Sequence, residues 1–419
     1  MLSEEKQAWL SLGVLWRKTM SKEIQTLVFI SNFLNHHQLP LALALYELLG
    51  NGFRFIATAP SDPQRLAMGY HDMNKMYPFV LTTYDRSDGM EEAHRLILES
   101  DVVMAGGLAN VPFMGERLRG GKISFQCWER PFKASDPSYN ALRTVASILW
   151  RQFPYRKCPT YLLAIGAYAP YDFQKVGCYV GHAYKWGYFP EVHDYDTKQL
   201  MQNKRSGKTE LLWVGRMLRL KHPEDAVAVA EYLKNKGYDF TLRMIGEGEQ
   251  REQVECLVRQ KKLEDYVELL DFMSPEEVRH YMEQANIYLF TSDRNEGWGA
   301  VLNESMNSCC AVVTGHEVGS SYYLIEHGKN GLIYESGNTE SLCETVESLV
   351  RNPNYCETLG VNAYKTMATL WNGDTAAKRL LELAQALLNG QDTLYEEGPC
   401  SKAEVITPKM MYENLVKRR

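Results

Sequence analysis

The sequence predicts an α/β protein built from two doubly wound domains in series, facing each other across a cleft. Three observations carry this. Short apolar runs of strand length alternate with helical patterns along most of the chain, the signature of parallel sheets with helices on both faces. A polar stretch without apolar periodicity, 191–209, splits the alternation into two halves. The 419 residues are too many for one compact core, and a hydrophobic content of 45% suffices for two.

The second half is the easier to parse. "LLWVG" (211–215) reads as a buried strand. Pro223 then suits a first helical position, with Glu224 and Asp225 near the positive end of the helix dipole. Ala226, Val227, Ala230 and Leu233 give that helix its apolar stripe. "FTLRMIG" (240–246) and "YVELLDF" (266–272) read as the next strands, with a helix over about 249–260 between them. "SPEE" (274–277) is a capping box, Ser274 capping and Glu277 closing it. "NIYLF" (286–290), "AVVT" (311–314) and "GLIY" (331–334) complete the series.

The first half repeats the plan less cleanly, with strand-like runs at 26–31, 53–57, 79–83, 101–105, 122–126 and 161–166. The predicted division is therefore a first domain over 1–195, a linker over 196–209 and a second domain over 210–372. A helix and tail over 373–419 return to the first domain. In open α/β sheets ligands bind beyond the carboxyl ends of the strands, so the loops after strands should carry the chemistry.

Composition removes several classes. Net charge is −6 with no long basic block, so nucleic acid is not an expected partner. The nine cysteines include no C-x-x-C pair, which reads as buried thiols in a reducing compartment, neither a disulfide framework nor a zinc site. Residues 1–19 carry Glu4 and Glu5 where a signal peptide needs positive charge. They read as a short amphipathic helix. Elsewhere no apolar run approaches the length of a membrane span.

Three motifs in the second half carry chemistry. In "VGRMLRLKHPE" (214–224), Arg216 and Lys221 flank a loop that opens a helix. Two cations beside a helix N-terminus suit a diphosphate, or are simply solvated surface charges. "IGEGE" (245–249) supplies Gly246 and Gly248, but Arg251 stands where a third glycine of a dinucleotide fingerprint would be. It reads as a turn that lets a nucleotide approach, or as a plain strand-to-helix turn. In "EGWGAVLNE" (296–304), Glu296 and Glu304 stand eight apart, with Gly297 and Gly299 allowing close backbone approach. Two carboxylates at this spacing suit a polyol ligand.

Arg216, Lys221, the spaced glutamates and "NGLIY" (330–334) together resemble the nucleotide-sugar half of retaining glycosyltransferases of family 4, with the GT-B fold. The resemblance covers 211–388 closely and 26–195 loosely. It implies that Arg216 and Lys221 hold the donor diphosphate, Glu296 the transferred sugar and Glu304 the ribose. It also implies that the backbone of Gly297, Trp298 and Gly299 faces the donor, although Trp298 stands where phenylalanine is more usual. The loop "GHEVGSS" (315–321) matches another cleft loop less specifically. No cofactor is implied, only a nucleotide diphosphate sugar as donor, with UDP the more frequent base. No essential metal is implied either.

Acceptor contacts are implied for the first domain. Family members carry a glycine-rich turn after the first strand; here "NFLNHHQLP" stands instead. His36 and His37 are therefore candidates for acceptor contact or proton transfer. Adjacent side chains in an extended loop diverge, and spacing offers no third ligand, so a metal site is not expected there. "FQCWERPFK" (125–133) resembles a Glu-Arg pair of polysaccharide-building bacterial members, making Glu129 and Arg130 acceptor-side candidates or a pair that holds the loop. "ILWRQFPYRK" (148–157) interleaves aromatics with Arg151, Arg156 and Lys157. That suits a bilayer headgroup layer, or a helix end whose aromatics pack inward.

The function these readings predict is sugar transfer from a nucleotide diphosphate sugar to a hydroxyl of a glycan or lipid-linked glycan. It would run in the cytoplasm, with peripheral contact at the inner membrane leaflet. Two rival readings are a GT-B-like nucleotide-sugar epimerase and a non-catalytic partner subunit.

Overall fold

A computed structural model describes residues 23–62, 71–106, 114–133, 137–205 and 207–417. The helix expected over 1–19 lies outside them. The first sheet contains β1 (Leu27–Ser31), β2 (Phe53–Ala57), β3 (Val80–Thr82), β4 (Val102–Gly106), β5 (Ser124–Glu129), β6 (Thr160–Ile165) and β7 (Ala183–Trp186). Its order is β3-β2-β1-β4-β5-β6-β7 and every pairing is parallel. The second sheet contains β8 (Thr209–Val214), β9 (Phe240–Ile245), β10 (Val267–Leu270), β11 (Ile287–Phe290), β12 (Ala311–Gly315) and β13 (Leu332–Tyr334). Its order is β10-β9-β8-β11-β12-β13, again parallel throughout.

Both orders reverse direction beside their first strand. The switch points therefore lie between β1 and β4 and between β8 and β11, where a doubly wound sheet opens a crevice for a ligand. The loops after β1, β8 and β11 carry His36 and His37, Arg216 and Lys221, and Glu296.

Burial explains why the strands read as apolar runs. β1, β4, β11 and β12 are buried along their full length because helices cover both faces. The stripe Ala226, Val227, Ala230 and Leu233 is wholly buried in the helix Pro223–Asn235. Ser274 and Glu277 form the full capping box of the helix Pro275–Gln284. A buried Arg117 clamps the first domain, donating to the carbonyls of Ile97, Ser100, Asp101 and Ile123 and to Ser124 Oγ.

Three features differ from the sequence reading. β7 was not expected: its four residues include Lys185, and its outer edge is covered by the tail. Lys185 N donates to Ser401 O, Cys400 N to Lys185 O, and Ala403 N to Ala183 O, at 2.8–3.0 Å, so the edge is closed to other chains. Inside the expected linker, Thr197–Lys204 forms a helix. Asp196 caps it, and Leu200, Met201 and Lys204 are buried. The Lys204 ammonium donates to the carbonyls of Met282 and Ala285, so this segment packs on the second domain. Finally, the cysteines are free, but Cys256 is exposed rather than buried.

The helix Gly373–Leu388 lies against the helix Leu39–Leu49 of the first domain. The approach is so close that a Cβ on Gly373 would sit 2.8 Å from the Pro40 carbonyl carbon. Just before it, Trp371 is buried among Trp298, Tyr323 and Phe189. Among the described residues no helix is long and apolar enough to cross a membrane.

Candidate functional site

The second domain brings Lys221 and Glu296 together, with Arg216 on the same loop as Lys221. Arg216 is exposed just past β8 and forms no ion pair among the described residues. Lys221 ends a short 3-10 turn, and its ammonium pairs with Glu296 in the loop after β11. Both side chains are largely withdrawn from water, at 17% and 15% exposure. Ser292 Oγ adds a hydrogen bond of 3.3 Å to the same carboxylate oxygen. An ammonium has three donors, so Lys221 can keep Glu296 and still meet a phosphate.

Behind Lys221 the loop is locked. His222 adopts a left-handed conformation, φ 45° and ψ 56°, at the start of the next helix. Its ring bridges Glu224 Oε1 at 2.9 Å and Asp293 Oδ2 at 3.4 Å. These two bonds, Asp293 first, push the imidazole up to about 10. The loop after β8 is thereby tied to the loop after β11, and Thr291 Oγ1 donates to Lys221 O at 2.6 Å beside it.

The glycines make room for the chain itself. Gly246 and Gly248 have φ of 137° and 152°, and Cβ atoms there would lie 2.1 Å from Gly215 O and 2.5 Å from Met217 O. Their missing side chains admit the neighbouring 215–217 backbone, as a strand-to-helix turn requires. Gly297 likewise packs against Gly166 and Gly319 in the interface between domains. Gly299, at φ 81°, lies over the Phe290 ring. The Trp298 side chain is wholly buried and sits on Gly187, its indole N–H donating to Asn303 at 2.9 Å. Any donor contact at 297–299 is therefore made by backbone.

The first domain departs further from expectation. Arg130 does not line the cleft: it is buried at 8% exposure in an ion pair of 3.2 Å with Asp172 and lies 5.4 Å over the Tyr168 ring. Glu129 pairs with Lys133 and accepts from Tyr188 OH at 2.8 Å. That cluster presses on Gly297, where a Cβ would come within 2.1 Å of Glu129 Oε2. Glu129 therefore stands at the junction of the two domains, beside the Glu296 loop.

The histidine pair also differs from expectation. The chain around 35–38 is turned rather than extended, with Gln38 N and Leu39 N both donating to Asn35 O at 2.9 Å. Asn35 Oδ1 accepts from His37 N at 3.0 Å. The two rings consequently face the same way, 3.7 Å between centroids, and His37 stacks on Tyr188 at 5.9 Å. A third group then arrives from the other domain. Glu304, in the first turn of the helix Val301–Asn307, brings a carboxylate oxygen within 4.8 Å of both imidazoles. The adjacent histidines therefore do not diverge in the folded chain, and a third candidate ligand stands beside them. Burial pushes the Glu304 carboxyl up to about 7, with Arg279 opposing. The pair thus faces this carboxylate across the cleft.

Sequence reasoning missed Tyr188, Ser292, His222 and Asp293. The run "GHAYKWGYFP" (181–190) held the one available signal: a glycine beside aromatics at a strand end.

Residues 195–366 match the family Glycosyl transferases group 1. Among curated proteins, the Alpha-D-kanosaminyltransferase of Streptomyces kanamyceticus is 28% identical over 170 residues, 41% of this chain and 44% of that protein. The amylovoran biosynthesis glycosyltransferase AmsK of Erwinia amylovora is 27% identical over 182 residues, 42% of this chain and 44% of that one. The matched stretches thus span less than half the length of either relative. Solved structures extend the likeness to both domains. The Anabaena protein HepE, crystallised in complex with UDP, superposes with a TM-score of 0.62 at 14% identity, covering 87% of this chain and 100% of that one. Sucrose-phosphate synthase of Thermosynechococcus elongatus gives 0.61 at 16%, covering 88% and 100%. At such identities the likeness shows the fold, which is GT-B. Within a GT-B molecule, Arg216, Lys221 and Glu296 lie at the switch point of the second domain, and His36 and His37 at that of the first.

Proposed function

We propose that this protein transfers a sugar from a nucleotide diphosphate sugar, a UDP-sugar in the first instance, to a hydroxyl of a glycan or lipid-linked glycan. The observation that carries this reading is the Lys221–Glu296 pair, with Arg216 on the same loop, where the second sheet opens its ligand crevice. The group 1 match over 195–366 and the glycosyltransferase names of the relatives support it. UDP, present with the fold neighbour HepE, supports the choice of base.

In this reading Arg216 and Lys221 offset the charge that develops on the departing diphosphate, an electrostatic contribution that commonly dominates such catalysis. Glu296 fixes the sugar, an effect of orientation. Glu304 takes the ribose hydroxyls. The acceptor attacks the face that the diphosphate leaves, the leaving phosphate takes its proton, and the anomeric configuration is retained. No essential metal takes part.

Contact with an anionic bilayer belongs to the same reading. The helix Pro137–Arg151 turns Leu142 and Trp150 outward, each 74% exposed, with Leu149 beside them. Arg143, Arg156 and Lys157 are exposed around that stripe. Phe153, by contrast, packs inward against Gly177.

Thermal-shift titration with UDP, GDP and ADP, followed by turnover of UDP-sugars with and without an acceptor hydroxyl, tests the proposal. Stabilisation by UDP and acceptor-dependent UDP release are expected. No response to any nucleotide overturns it, and turnover without acceptor favours the epimerase.

A further inference from the structure

We propose that His36, His37 and Glu304 form a binding site for a divalent transition-metal ion of the zinc class, bridging the two domains. Their ligand atoms lie within 4.8 Å of one another. Around a tetrahedral zinc with bonds of 2.0–2.1 Å, ligand atoms stand roughly 3.3 Å apart. Side-chain rotation of up to about 1.5 Å closes the difference, and each of the three residues keeps part of its surface exposed.

The donor set selects the ion. Two imidazoles and one carboxylate suit zinc and its transition-metal neighbours, with a fourth position left for water. Magnesium and calcium prefer shells of oxygen. The ligands are also held from behind. Asn35 fixes the turn through His37 N, the His37 ring stacks on Tyr188, and Phe189 N donates to His37 O at 3.2 Å. On the other domain, Arg279 holds the helix of Glu304 through Glu304 O at 3.0 Å and Asn307 Oδ1 at 3.1 Å. Support of this kind orients ligands before the metal arrives.

The ion would join the loop after β1 to the helix after β11, fastening the cleft. On the reading of Glu304 as the ribose contact, a carboxylate bound to metal is withdrawn from the nucleotide. Zinc and nucleotide then exclude each other, and zinc acts as an inhibitor of transfer rather than its cofactor.

The test titrates zinc chloride into the metal-stripped full chain by calorimetry, without nucleotide. Cys256→Ser is included because Cys256 is the exposed thiol among the described residues. One ion per chain is expected, held at least roughly tenfold more weakly by His36→Ala and by His37→Ala. Cobalt(II), read on the chain with both histidines intact, should give the visible absorption of a four-coordinate ion without a thiolate charge-transfer band. No saturable binding, binding indifferent to both histidines, or a thiolate band overturns the site. UDP titrated into the zinc-free chain reports separately on the donor reading. If UDP binds there and zinc leaves its affinity unchanged, mutual exclusion is overturned. If UDP fails to bind there, the donor reading falls while the zinc titration still decides the site.

Discussion

Glu296→Gln separates the two ends of the proposed donor site. The amide keeps the shape of the side chain but removes the charge that pairs with Lys221. Two effects of opposite sign should follow. A sugar held less firmly in the transition state costs about 2.7–4 kcal/mol, so kcat should fall about 10²- to 10³-fold. The Lys221 ammonium, released from its carboxylate, becomes a better partner for a diphosphate. The pair is 17% and 15% exposed, so solvent still screens it in part, and a gain of up to about 1 kcal/mol is the scale for such a pair. UDP should therefore bind up to about fivefold more tightly while turnover collapses. Calorimetry with UDP and a UDP-release assay on one preparation read both quantities. Unchanged kcat would refute the role given to Glu296. A tenfold loss of UDP affinity would instead show that the carboxylate itself touches the nucleotide.

Other outcomes test the supporting structure. Asp172→Asn strands the Arg130 guanidinium in an environment where the pair is 8% and 2% exposed; loss of about 3–5 kcal/mol is expected, a Tm fall of roughly 6–20 °C, and a small Tm change with a raised acceptor KM would return Arg130 to the cleft. Gly299→Ala forces a Cβ to 2.2 Å from Phe290 Cζ at φ 81°, which should lower the urea midpoint by the equivalent of about 1–3 kcal/mol. The folded His222 titrates near 10 against 6.5 for the free side chain, so its contribution is complete below pH 6.5 and fades as pH rises through 10. Melting temperatures across that window should fall less steeply in His222→Gln than in the parent chain, and parallel profiles would remove His222 from the loop lock. Trp150→Ser should weaken flotation with anionic liposomes at low salt, and a parent chain that fails to float there sinks the bilayer contact.

The alternation of runs such as "LLWVG" and "NIYLF" with capped helices made two parallel sheets legible, because burial on both faces leaves a strand no polar side. β7 escaped because Lys185 interrupts its four residues and the tail, not a second strand, closes its edge. The helix Thr197–Lys204 escaped because one of its buried residues is a lysine, satisfied by the carbonyls of Met282 and Ala285. Arg216, Lys221 and Glu296 were legible as a cluster because each follows a strand end of one sheet. Gly246, Gly248 and Gly297 were legible only in part. A missing Cβ announces that something comes close, and the sequence does not say whether that neighbour is a ligand or the chain itself.

The convergence at Glu304 was not legible at all, since the histidines it faces belong to the other domain. Glu296 is neutralised from within its own domain by Lys221. Glu304 instead faces imidazoles across the cleft, and its carboxyl, raised to about 7, is divided between charged and neutral forms near neutral pH. On the proposed reading, a ribose bound by Glu304 would share that carboxylate's surroundings with the two histidines. The two glutamates, so alike in the sequence, would then meet the donor in different settings: Glu296 beside Lys221 of its own domain, Glu304 beside the histidines of the other.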